Sequence, residues 1–405
     1  MDDGKKLINT PVRHRIGLDA RFILRPLRGM PQYVYMLCQC LPKMMPNVDF
    51  YFFINRQFEY NDDASQYQQR LNVLKKFSNV TLINIDADTE MLWEQWLLPK
   101  ALKHYSIDLL HMPGNRVCLL SRVKQITTTH DLIEWHSLKI FHYYKERSVK
   151  ENFYIFRMKI YMWAVYRLGL TISDHILTIS KYSERDITNT FPAFKSKVSH
   201  VYHGIPNGFT PPSTTLAKQG VLMLGGDSHQ KNAENMLKAW GQLSGELKKR
   251  HPLTILGFVG GEDSIIAKTI RTLDIGNDIV IKGWVTEDEL IQQMQTTKVF
   301  MFASREEGFG FPLVQSMAVG TPVVTSEADV LKEIGQDAVC SADAEDFIAL
   351  SANLAALLTD DALYKQKVAK GIALASQFTW ENTTKHIAST YFNLLNKKQD
   401  EGAHE

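Results

Sequence analysis

Two glutamates and a glycine-rich loop follow an apolar stretch in the second half of the chain. The residues Val299–Phe302 predict a strand, Glu306 and Glu307 come soon after it, and a Gly-Phe-Gly sequence at 308–310 precedes Pro312. Proline at this place favours the first turn of a helix. The amide N–H groups at such a helix start suit a phosphate, and a nearby carboxylate can accept hydrogen bonds from sugar hydroxyls. The alternative is a strand–turn–helix unit that serves packing alone.

A basic side chain and an imidazole occupy similar places after two other strands. Lys231 stands next to last in a Gly-containing turn at 223–232, and His130 stands with Asp131 after the predicted strand 125–129. A lysine there could hold a phosphate. Lysine is also common at helix starts, and a lone histidine at a strand end is more often structural. The place of Lys231 directly after the first strand of the second half favours a phosphate, and Asp131 beside His130 favours a ligand-binding histidine.

Short apolar strands alternate with helical patterns in both halves of the chain. The first half opens with a strand at 15–19 and a helix at 33–41, and the second half restarts with a strand at 220–224. The segment 206–215 contains three prolines and predicts a linker. The pattern predicts an α/β protein with two doubly wound, Rossmann-like domains. Ligands bind at the carboxyl ends of such strands, so two facing domains would place a ligand in the cleft between them.

The composition and charge exclude several classes of protein. The chain has 405 residues, of which 44% are hydrophobic and 22% charged, and this suits two globular domains. Its net charge of +2 leads us to expect no nucleic-acid partner. The four cysteines fit neither a disulfide framework nor a zinc site, which favours the cytoplasm. Residues 1–10 contain no apolar h-region, so we expect no leader peptide, and no stretch approaches 18 uncharged apolar residues, so we expect no membrane span.

A basic and aromatic segment lies at 139–167. It holds seven Lys or Arg residues against two glutamates, interleaved with nine aromatic residues. Basic and aromatic side chains on one helix face attract an anionic bilayer surface. The sequence therefore predicts a peripheral contact with an anionic membrane, and an amphipathic helix packed on its own domain is an equal alternative.

The stretch 302–325 resembles the sugar-nucleotide signature of retaining glycosyltransferase family 4. That signature has an acidic residue, Gly-Phe-Gly, Pro and a second acidic residue eight positions after the first. Glu307 fits the first acid, whereas Gln315 stands where the family usually has glutamate. In the family the first glutamate meets the donor sugar and the second binds the ribose hydroxyls. A glutamine still offers a carbonyl acceptor, with a hydrogen bond of about 1 kcal/mol in place of about 1.5–3 kcal/mol.

Further segments extend the resemblance over nearly the whole chain. The turn 223–232 resembles the family turn whose Arg-Lys-Asn holds the diphosphate, with Gln230 in place of the arginine. The segment 283–285 is similar to the one whose backbone meets the nucleobase. Gly29 matches a loop that lies over the phosphates, where Pro31 replaces a second glycine.

The resemblance assigns roles to residues in both halves. His130 and Glu307 are the expected catalytic-site residues, and the expected donor-binding residues are Gly29, Lys231, Asn232, Trp284, Val285, Gly308, Phe309, Gly310 and Gln315. It also implies an N-terminal acceptor-binding domain at 14–206, completed by a C-terminal helix at about 380–396, and a donor-binding domain at 216–379.

The implied protein is a GT-B glycosyltransferase. It would move a sugar from a nucleotide-diphosphate sugar, GDP-mannose or a UDP-sugar, to a glycan or lipid-linked acceptor, with retention at the anomeric carbon. The family acts in cell-surface polysaccharide and lipid-linked glycan synthesis. We expect no metal and no cofactor, because fixed charges and dipoles can stabilise a diphosphate leaving group. The expected location is the cytoplasm, on the inner face of the cytoplasmic membrane.

Two other functions remain open. Gln315, Gln230 and Pro31 together would suit a nucleotide-sugar-binding protein on the same fold that has lost turnover. A phosphorylase or a sugar-nucleotide epimerase would share the fold. The Asp86-Ala-Asp88 spacing is that of some metal-dependent transferases, but here it predicts a solvated loop.

Overall fold

The helices and strands gather into two compact units. The computed structural model describes residues 13–58, 64–138, 148–214 and 216–401. Unit 1 contains the chain up to Thr178, the segment Phe191–Ser199 and the chain from Thr384. Unit 2 contains Ile179–Thr190 and His200–Thr383.

Unit 1 is built on a sheet with the strand order β3-β2-β1-β4-β5-β6-β7 among the residues described. Every pairing in this sheet whose register is described is parallel. The strands are β1 (Arg15–Asp19), β2 (Asp49–Ile54), β3 (Val80–Asn84), β4 (Leu109–Met112), β5 (Lys124–Thr128), β6 (His175–Thr178) and β7 (Val198–His200). The central strands β1 and β4 are almost entirely buried, because helices cover both faces of a parallel sheet.

Helices of unit 1 connect these strands. They are α1 (Met30–Met44), α2 (Ala64–Leu74), α3 (Glu90–Leu92), α4 (Leu98–His104), α5 (Ile133–His136), α6 (Val149–Ala164) and α7 (Leu170–Ile172). A π-helical segment, Trp93–Leu97, joins α3 to α4, so that helical structure runs over 90–104. Thr89 caps its start, since the side chain accepts from the Leu92 N–H at 3.2 Å. The ring of Trp93 is fully buried and anchors this helical run in the core.

Unit 2 repeats the plan with the strand order β10-β9-β8-β11-β12-β13 among its described residues. Each described register is parallel. The strands are β8 (Val221–Leu224), β9 (Leu253–Leu256), β10 (Ile279–Lys282), β11 (Val299–Phe302), β12 (Val323–Ser326) and β13 (Cys340–Ala342). One face packs a cluster around Trp240 and Leu237, and the other packs a cluster around Phe300 and Leu313.

The helices of unit 2 precede, separate and follow these strands in the chain. They are α8 (Lys181–Thr190), α9 (Ala233–Gly241), α10 (Gly245–Arg250), α11 (Ile265–Leu273), α12 (Glu287–Thr296), α13 (Phe311–Ala318), α14 (Asp329–Gly335), α15 (Phe347–Thr359) and α16 (Asp361–Ala375). Helix α8 precedes the second sheet in the chain, yet its first turn is held by Glu333 of α14. The carboxylate accepts the Lys181 and Tyr182 N–H groups, both at 2.7 Å. This contact explains why Ile179–Thr190, placed by sequence in the N-terminal domain, groups with unit 2.

The last helix, α17 (Trp380–Glu401), begins in unit 2 and belongs to unit 1 from Thr384. It is tied to the first sheet by its buried Tyr391, whose hydroxyl lies 2.6 Å from Nδ1 of His111 on β4. Among the described residues no single helix is long and apolar enough to cross a membrane, although the bent pair 347–359 and 361–396 has the length and composition.

Both sheets share one feature that positions a ligand site. In each, the first strand of the unit lies beside its fourth, so the chain reverses its direction of progress across the sheet between β1 and β4 and between β8 and β11. Connections leave the two sides of this point in opposite directions, and the loops at the carboxyl ends part to leave room for a ligand.

Candidate functional site

The loop after β8 lies at the reversal point of unit 2. Gly225 donates its N–H to the Leu256 carbonyl oxygen at 2.6 Å. A Cβ on Gly226 would lie 2.9 Å from Cγ of Lys231, so glycine lets the lysine stem cross the backbone. The lysine side chain is thereby held over its own loop.

Lys231 meets Glu307 directly. The lysine Nζ lies 2.8 Å from Oε1 of Glu307, whose side chain is 13% exposed while that of the lysine is 40% exposed. These residues come from the loops after β8 and β11, on the two sides of the reversal. The structure thus brings together the residues predicted to hold the diphosphate and the donor sugar.

Helix α13 begins immediately after this pair. Gly310 has φ +92°, and a Cβ there would lie 2.9 Å from Cδ2 of Leu331, so the turn requires glycine. Pro312 occupies the second helical position. Gly308 is buried in the same loop. The loop therefore sets the start of α13 beside Glu307, and a helix start favours an anion.

Gln315 lies in α13 and is 5% exposed. Within the described part of the chain its amide forms no side-chain hydrogen bond. A glutamine amide carries both a donor and an acceptor that a ligand can bond. Its predicted contact with a ribose stays a prediction.

Asn232 has a structural task in unit 2. Its Nδ2 donates to the carbonyl oxygens of Ala303 and Ala344 at 2.9 and 2.8 Å, and the residue is 1% exposed. Its backbone adopts φ +56°, which asparagine tolerates better than most residues. Asn232 therefore ties together the loops after β8, β11 and β13, and a direct donor contact stays a prediction.

Sequence reasoning missed Arg305, which forms further bonds between the loops that Asn232 joins. Its backbone N–H donates to the Gln230 carbonyl oxygen at 2.8 Å and its NH1 donates to the His229 carbonyl oxygen at 2.6 Å. The guanidinium also pairs with Glu345. Gln230, which replaces the expected arginine, donates from Nε2 to the Glu306 carbonyl oxygen at 2.9 Å. The acidic pair drew attention to 306–307, and nothing in the sequence marked the arginine before it.

Trp284 and Val285 follow β10 at the same carboxyl edge. Trp284 is 60% exposed, and a Cβ on Gly257 would lie 2.9 Å from its ring, so the indole covers this glycine. Gly257 donates its N–H to the Gly283 carbonyl oxygen at 3.0 Å. Val285 is partly buried against the core. An exposed indole at the end of the row of loops suits stacking with a planar base.

Phe309 does not present its ring to a ligand. It is 2% exposed and makes edge contacts with His203 and Phe311 at centroid distances of 5.1 and 5.4 Å. Only the backbone of this residue can reach a donor. The ring instead fixes the loop between Glu307 and α13 through aromatic packing.

In unit 1, His130 follows β5 and is 7% exposed. Nε2 donates to the Pro113 carbonyl oxygen at 2.9 Å, because a carbonyl only accepts. The backbone N–H donates to Oδ1 of Asn115 at 2.6 Å. The ring packs edge-on against Tyr33, with centroids 5.1 Å apart. The imidazole is thus fixed in one orientation at the carboxyl edge of the first sheet.

Burial keeps two histidines of unit 1 neutral. It lowers the pKa of His130 to about 4 and that of His111 to about 3, against an ordinary value of 6.5. His111 Nε2 lies 2.8 Å from Oγ1 of Thr128, which also lies 3.1 Å from the Tyr33 hydroxyl. A neutral His130 can position a hydroxyl group but offers no positive charge near neutral pH.

Gly29 is the N-cap residue of α1. A loop that contains a short 3-10 helix, Arg21–Leu24, separates it from β1. Gly29 is exposed, has φ +55°, and its carbonyl oxygen accepts the Tyr33 N–H at 3.1 Å. Pro31 follows in the first turn, so the helix start is stiff. Because Tyr33 also contacts His130, the start of α1 and the imidazole share one edge of unit 1.

A buried charge cluster, also missed by sequence reasoning, supports that edge. Arg21 donates to both carboxylate oxygens of Asp19 at 2.9 and 2.7 Å and to Oε1 of Glu94 at 2.7 Å. Asp19 and Glu94 are fully buried. Glu94 also accepts from the Tyr161 hydroxyl of α6. The acids lie 75 positions apart in the chain, so no local pattern revealed the cluster.

The described residues contain no group of three or more His, Cys, Asp or Glu side chains that could hold a metal ion. In unit 2 the charges that a ligand would meet are a lysine, a glutamate and a helix start. Such an arrangement can bind an anion and a hydroxylated ring side by side.

Two family models match this chain. The model described as glycosyltransferase family 4 matches residues 27–207, and that described as glycosyl transferases group 1 matches residues 214–372. Together they span both units. The chain therefore belongs to glycosyltransferase family 4 and has the GT-B fold.

Individual proteins agree with this class. The O-antigen chain mannosyltransferase B of Escherichia coli is 28% identical over 305 residues, which cover 72% of this chain and 76% of that protein. Sucrose-phosphate synthase from Thermosynechococcus elongatus has a similar structure, with a TM-score of 0.68, 16% identity, and coverage of 95% of this chain and all of that one. HepE from Anabaena, crystallised with UDP and glucose, has a TM-score of 0.66, 14% identity, and coverage of 94% of this chain and all of that one.

Replacing Glu307 should damage turnover far more than replacing its neighbour. Glu307→Ala removes the partly buried carboxylate, and we expect kcat/KM for transfer to fall by about 10²–10³-fold, the loss of one preorganised contact. Glu306→Ala, at an exposed position, is the matched control and should leave kcat/KM within about threefold. Steady-state kinetics measure both. Equal rates for the two variants would contradict the role of Glu307.

His130 should make unit 1 less stable in acid. Its folded pKa lies below its unfolded value, so the unfolded state binds the extra proton and stability falls as pH drops from about 6.5 toward about 4. We expect His130→Asn to reduce this dependence by about 1.4 kcal/mol per pH unit. Urea unfolding across that range measures it, with the exposed His104→Asn as control. An unchanged slope in His130→Asn would show that the imidazole is not buried and neutral.

Proposed function

We propose that this protein transfers a mannosyl residue from GDP-mannose to a glycan or lipid-linked acceptor in cell-surface polysaccharide synthesis. The observation that carries the proposal is the pairing of Lys231 with Glu307 at the start of α13. It offers a cation for a diphosphate and a carboxylate for sugar hydroxyls within one contact distance. The mannosyl group and the polysaccharide acceptor are suggested by the similar O-antigen chain mannosyltransferase B.

The proposed roles follow from the geometry of unit 2. The Lys231 ammonium and the amide groups near Gly308 and Gly310 bind the diphosphate. Glu307 exchanges its bond with Lys231 for bonds with hydroxyl groups of the donor sugar. Gln315 binds the ribose through its amide, and Trp284 with Val285 meets the nucleobase. The loops after β8 and β11 hold Lys231 and Glu307 beside the start of α13, which lowers the cost of organising these two groups during the reaction.

We further propose that the reaction retains the anomeric configuration and needs no metal. As the bond between the anomeric carbon and the diphosphate oxygen breaks, Lys231 and the start of α13 stabilise the negative charge on the leaving group. The departing phosphate oxygen accepts the proton of the acceptor hydroxyl as the new glycosidic bond forms on the same face. His130, neutral at pH 7, binds a sugar hydroxyl and does not act as a nucleophile. We place the reaction in the cytoplasm, at the inner membrane face where a lipid-linked acceptor would be found.

A donor-exchange assay tests this function. The protein is incubated with GDP-mannose, UDP-glucose or UDP-galactose and a mannose-terminated oligosaccharide, with EDTA and then with Mg²⁺. We expect product from GDP-mannose, at the same rate in EDTA, with an α-linkage by NMR. Product from a UDP-sugar and none from GDP-mannose would show that the UDP-sugar is the donor. Strict dependence on Mg²⁺ would contradict the metal-free mechanism. GDP-mannose binding without any product would favour the binding protein that lacks turnover.

Restoring the usual acid should strengthen nucleotide binding. Gln315→Glu exchanges a neutral acceptor for a charged one, worth about 1 kcal/mol or about fivefold in the dissociation constant of GDP. Isothermal titration calorimetry measures this constant, and Gln315→Leu, which fills the volume without an acceptor, should weaken it. If both variants bind GDP as the unchanged protein does, Gln315 does not contact the ribose.

A further inference from the structure

An unusual concentration of exposed apolar side chains lies on unit 1. Of the 19 large hydrophobic residues described as exposed, 12 fall between residues 91 and 172. They are Met91, Leu92, Trp96, Leu120, Val149, Phe153, Tyr154, Met158, Ile160, Trp163, Leu168 and Ile172. Contiguous apolar surface on a folded protein marks a contact with another molecule or a bilayer.

These residues belong to elements that touch one another. Gln95, between α3 and α4, donates from Nε2 to the Tyr161 hydroxyl of α6 at 3.2 Å and to the Val117 carbonyl oxygen at 2.8 Å. Its Oε1 accepts the Leu119 N–H at 2.7 Å. The helical run 90–104, the loop around Leu120 and α6 are therefore packed together, and we call their exposed side chains the aromatic–basic face.

Little of the surface of helix α6 is buried against the rest of unit 1. Asn152 is the single buried residue described for its 16 positions, while Phe153 and Tyr154 are 60% and 64% exposed. Trp96, on the neighbouring helical run, is 59% exposed. The alternative from the sequence, an amphipathic helix packed on its own domain, accounts for Asn152 and Tyr161 but not for the exposed rings of Phe153 and Tyr154. The part of the predicted segment at 139–147 lies outside the described residues.

The charge on this face selects its partner. Helix α6 carries three basic side chains, Lys150, Arg157 and Lys159, against Glu151. A two-fold contact between copies of the chain would bring this face onto itself, and its like charges would repel. A partner with a negatively charged surface and an apolar interior can contact both the basic and the apolar side chains of this face. Aromatic side chains with polar atoms, such as those of Trp96 and Tyr154, favour that boundary.

We propose that the aromatic–basic face docks unit 1 onto an anionic lipid bilayer, with Trp96, Phe153 and Tyr154 inserted between headgroups and Lys150 and Arg157 against their phosphates. The proposal deepens the proposed function, on which it rests for its purpose, because a lipid-linked acceptor is presented at such a surface. Binding to lipid itself requires no turnover.

Vesicle co-sedimentation tests the face. Vesicles of phosphatidylcholine with about 30 mol% phosphatidylglycerol should bind the protein at low salt and release it when high salt screens the charges. Lys150→Gln with Arg157→Gln should lower the partition coefficient about 30-fold, from about 1 kcal/mol for each lost charge. Trp96→Ala with Phe153→Ala should lower it at least tenfold.

Matched controls separate this face from the rest of the surface. Lys249→Gln with Lys365→Gln removes two exposed charges of unit 2, and Ile348→Ala with Phe392→Ala removes two other exposed apolar side chains. Both should bind vesicles normally. GDP titration of every variant reports on unit 2 alone, so loss of lipid binding with normal GDP affinity concerns the face and not the proposed function.

Three results would overturn the proposal. The first is equal recovery in the supernatant with and without anionic vesicles, and the second is binding that neither double variant on the face weakens. The third is a dimer in sedimentation velocity that both variants dissociate while vesicles bind nothing, which would make this face a contact between copies of the chain.

Discussion

The ion pair between Lys231 and Glu307 depends on the strand order of the second sheet. These residues lie 76 positions apart and meet at 2.8 Å because β8 and β11 are neighbours where the chain reverses across the sheet. Both strands are buried and parallel, so their loops leave the same edge. A lysine and a glutamate at the ends of strands that are not neighbours in this sheet would be farther apart. The candidate site is therefore a consequence of topology first and of side-chain chemistry second, and the loops around it must keep the pair in place.

Polar contacts and aromatic packing both keep the loops around Lys231 and Glu307 in place. Asn232 and Arg305 bond to the backbone of neighbouring loops, with Nδ2 of Asn232 on the Ala303 carbonyl oxygen at 2.9 Å. Phe309 packs its ring into the core and leaves only its backbone beside Glu307. Since these contacts are satisfied without a ligand, the loops need little reordering when a donor binds. In unit 1 a candidate side chain is also fixed by the protein itself, because neutral His130 donates a hydrogen bond to the Pro113 carbonyl oxygen.

Much of this could be predicted from the sequence, for identifiable reasons. The apolar strands and intervening helices gave the doubly wound fold, and the predicted strand at 299–302 agrees with β11. Short strands such as β7 and β13 were not predicted, since three residues carry little periodicity. The loop motif revealed Glu307, whereas Arg305 and the bond between Arg21 and Glu94 escaped because their partners are distant in the chain or are backbone atoms. The sequence also left the surroundings of α6 undecided, because composition does not tell which apolar side chains are covered.

The central claim is that the carboxyl edge of unit 2 binds a nucleoside diphosphate. Hydrogen–deuterium exchange with and without GDP tests it most directly, because amide exchange locates binding along the chain without any assumption about turnover. The account predicts slower exchange in the peptides that cover 225–232 and 305–315, with those of β13 and α16 unchanged. Unchanged exchange in both loops at saturating GDP, or slower exchange in unit 1 alone, would contradict it.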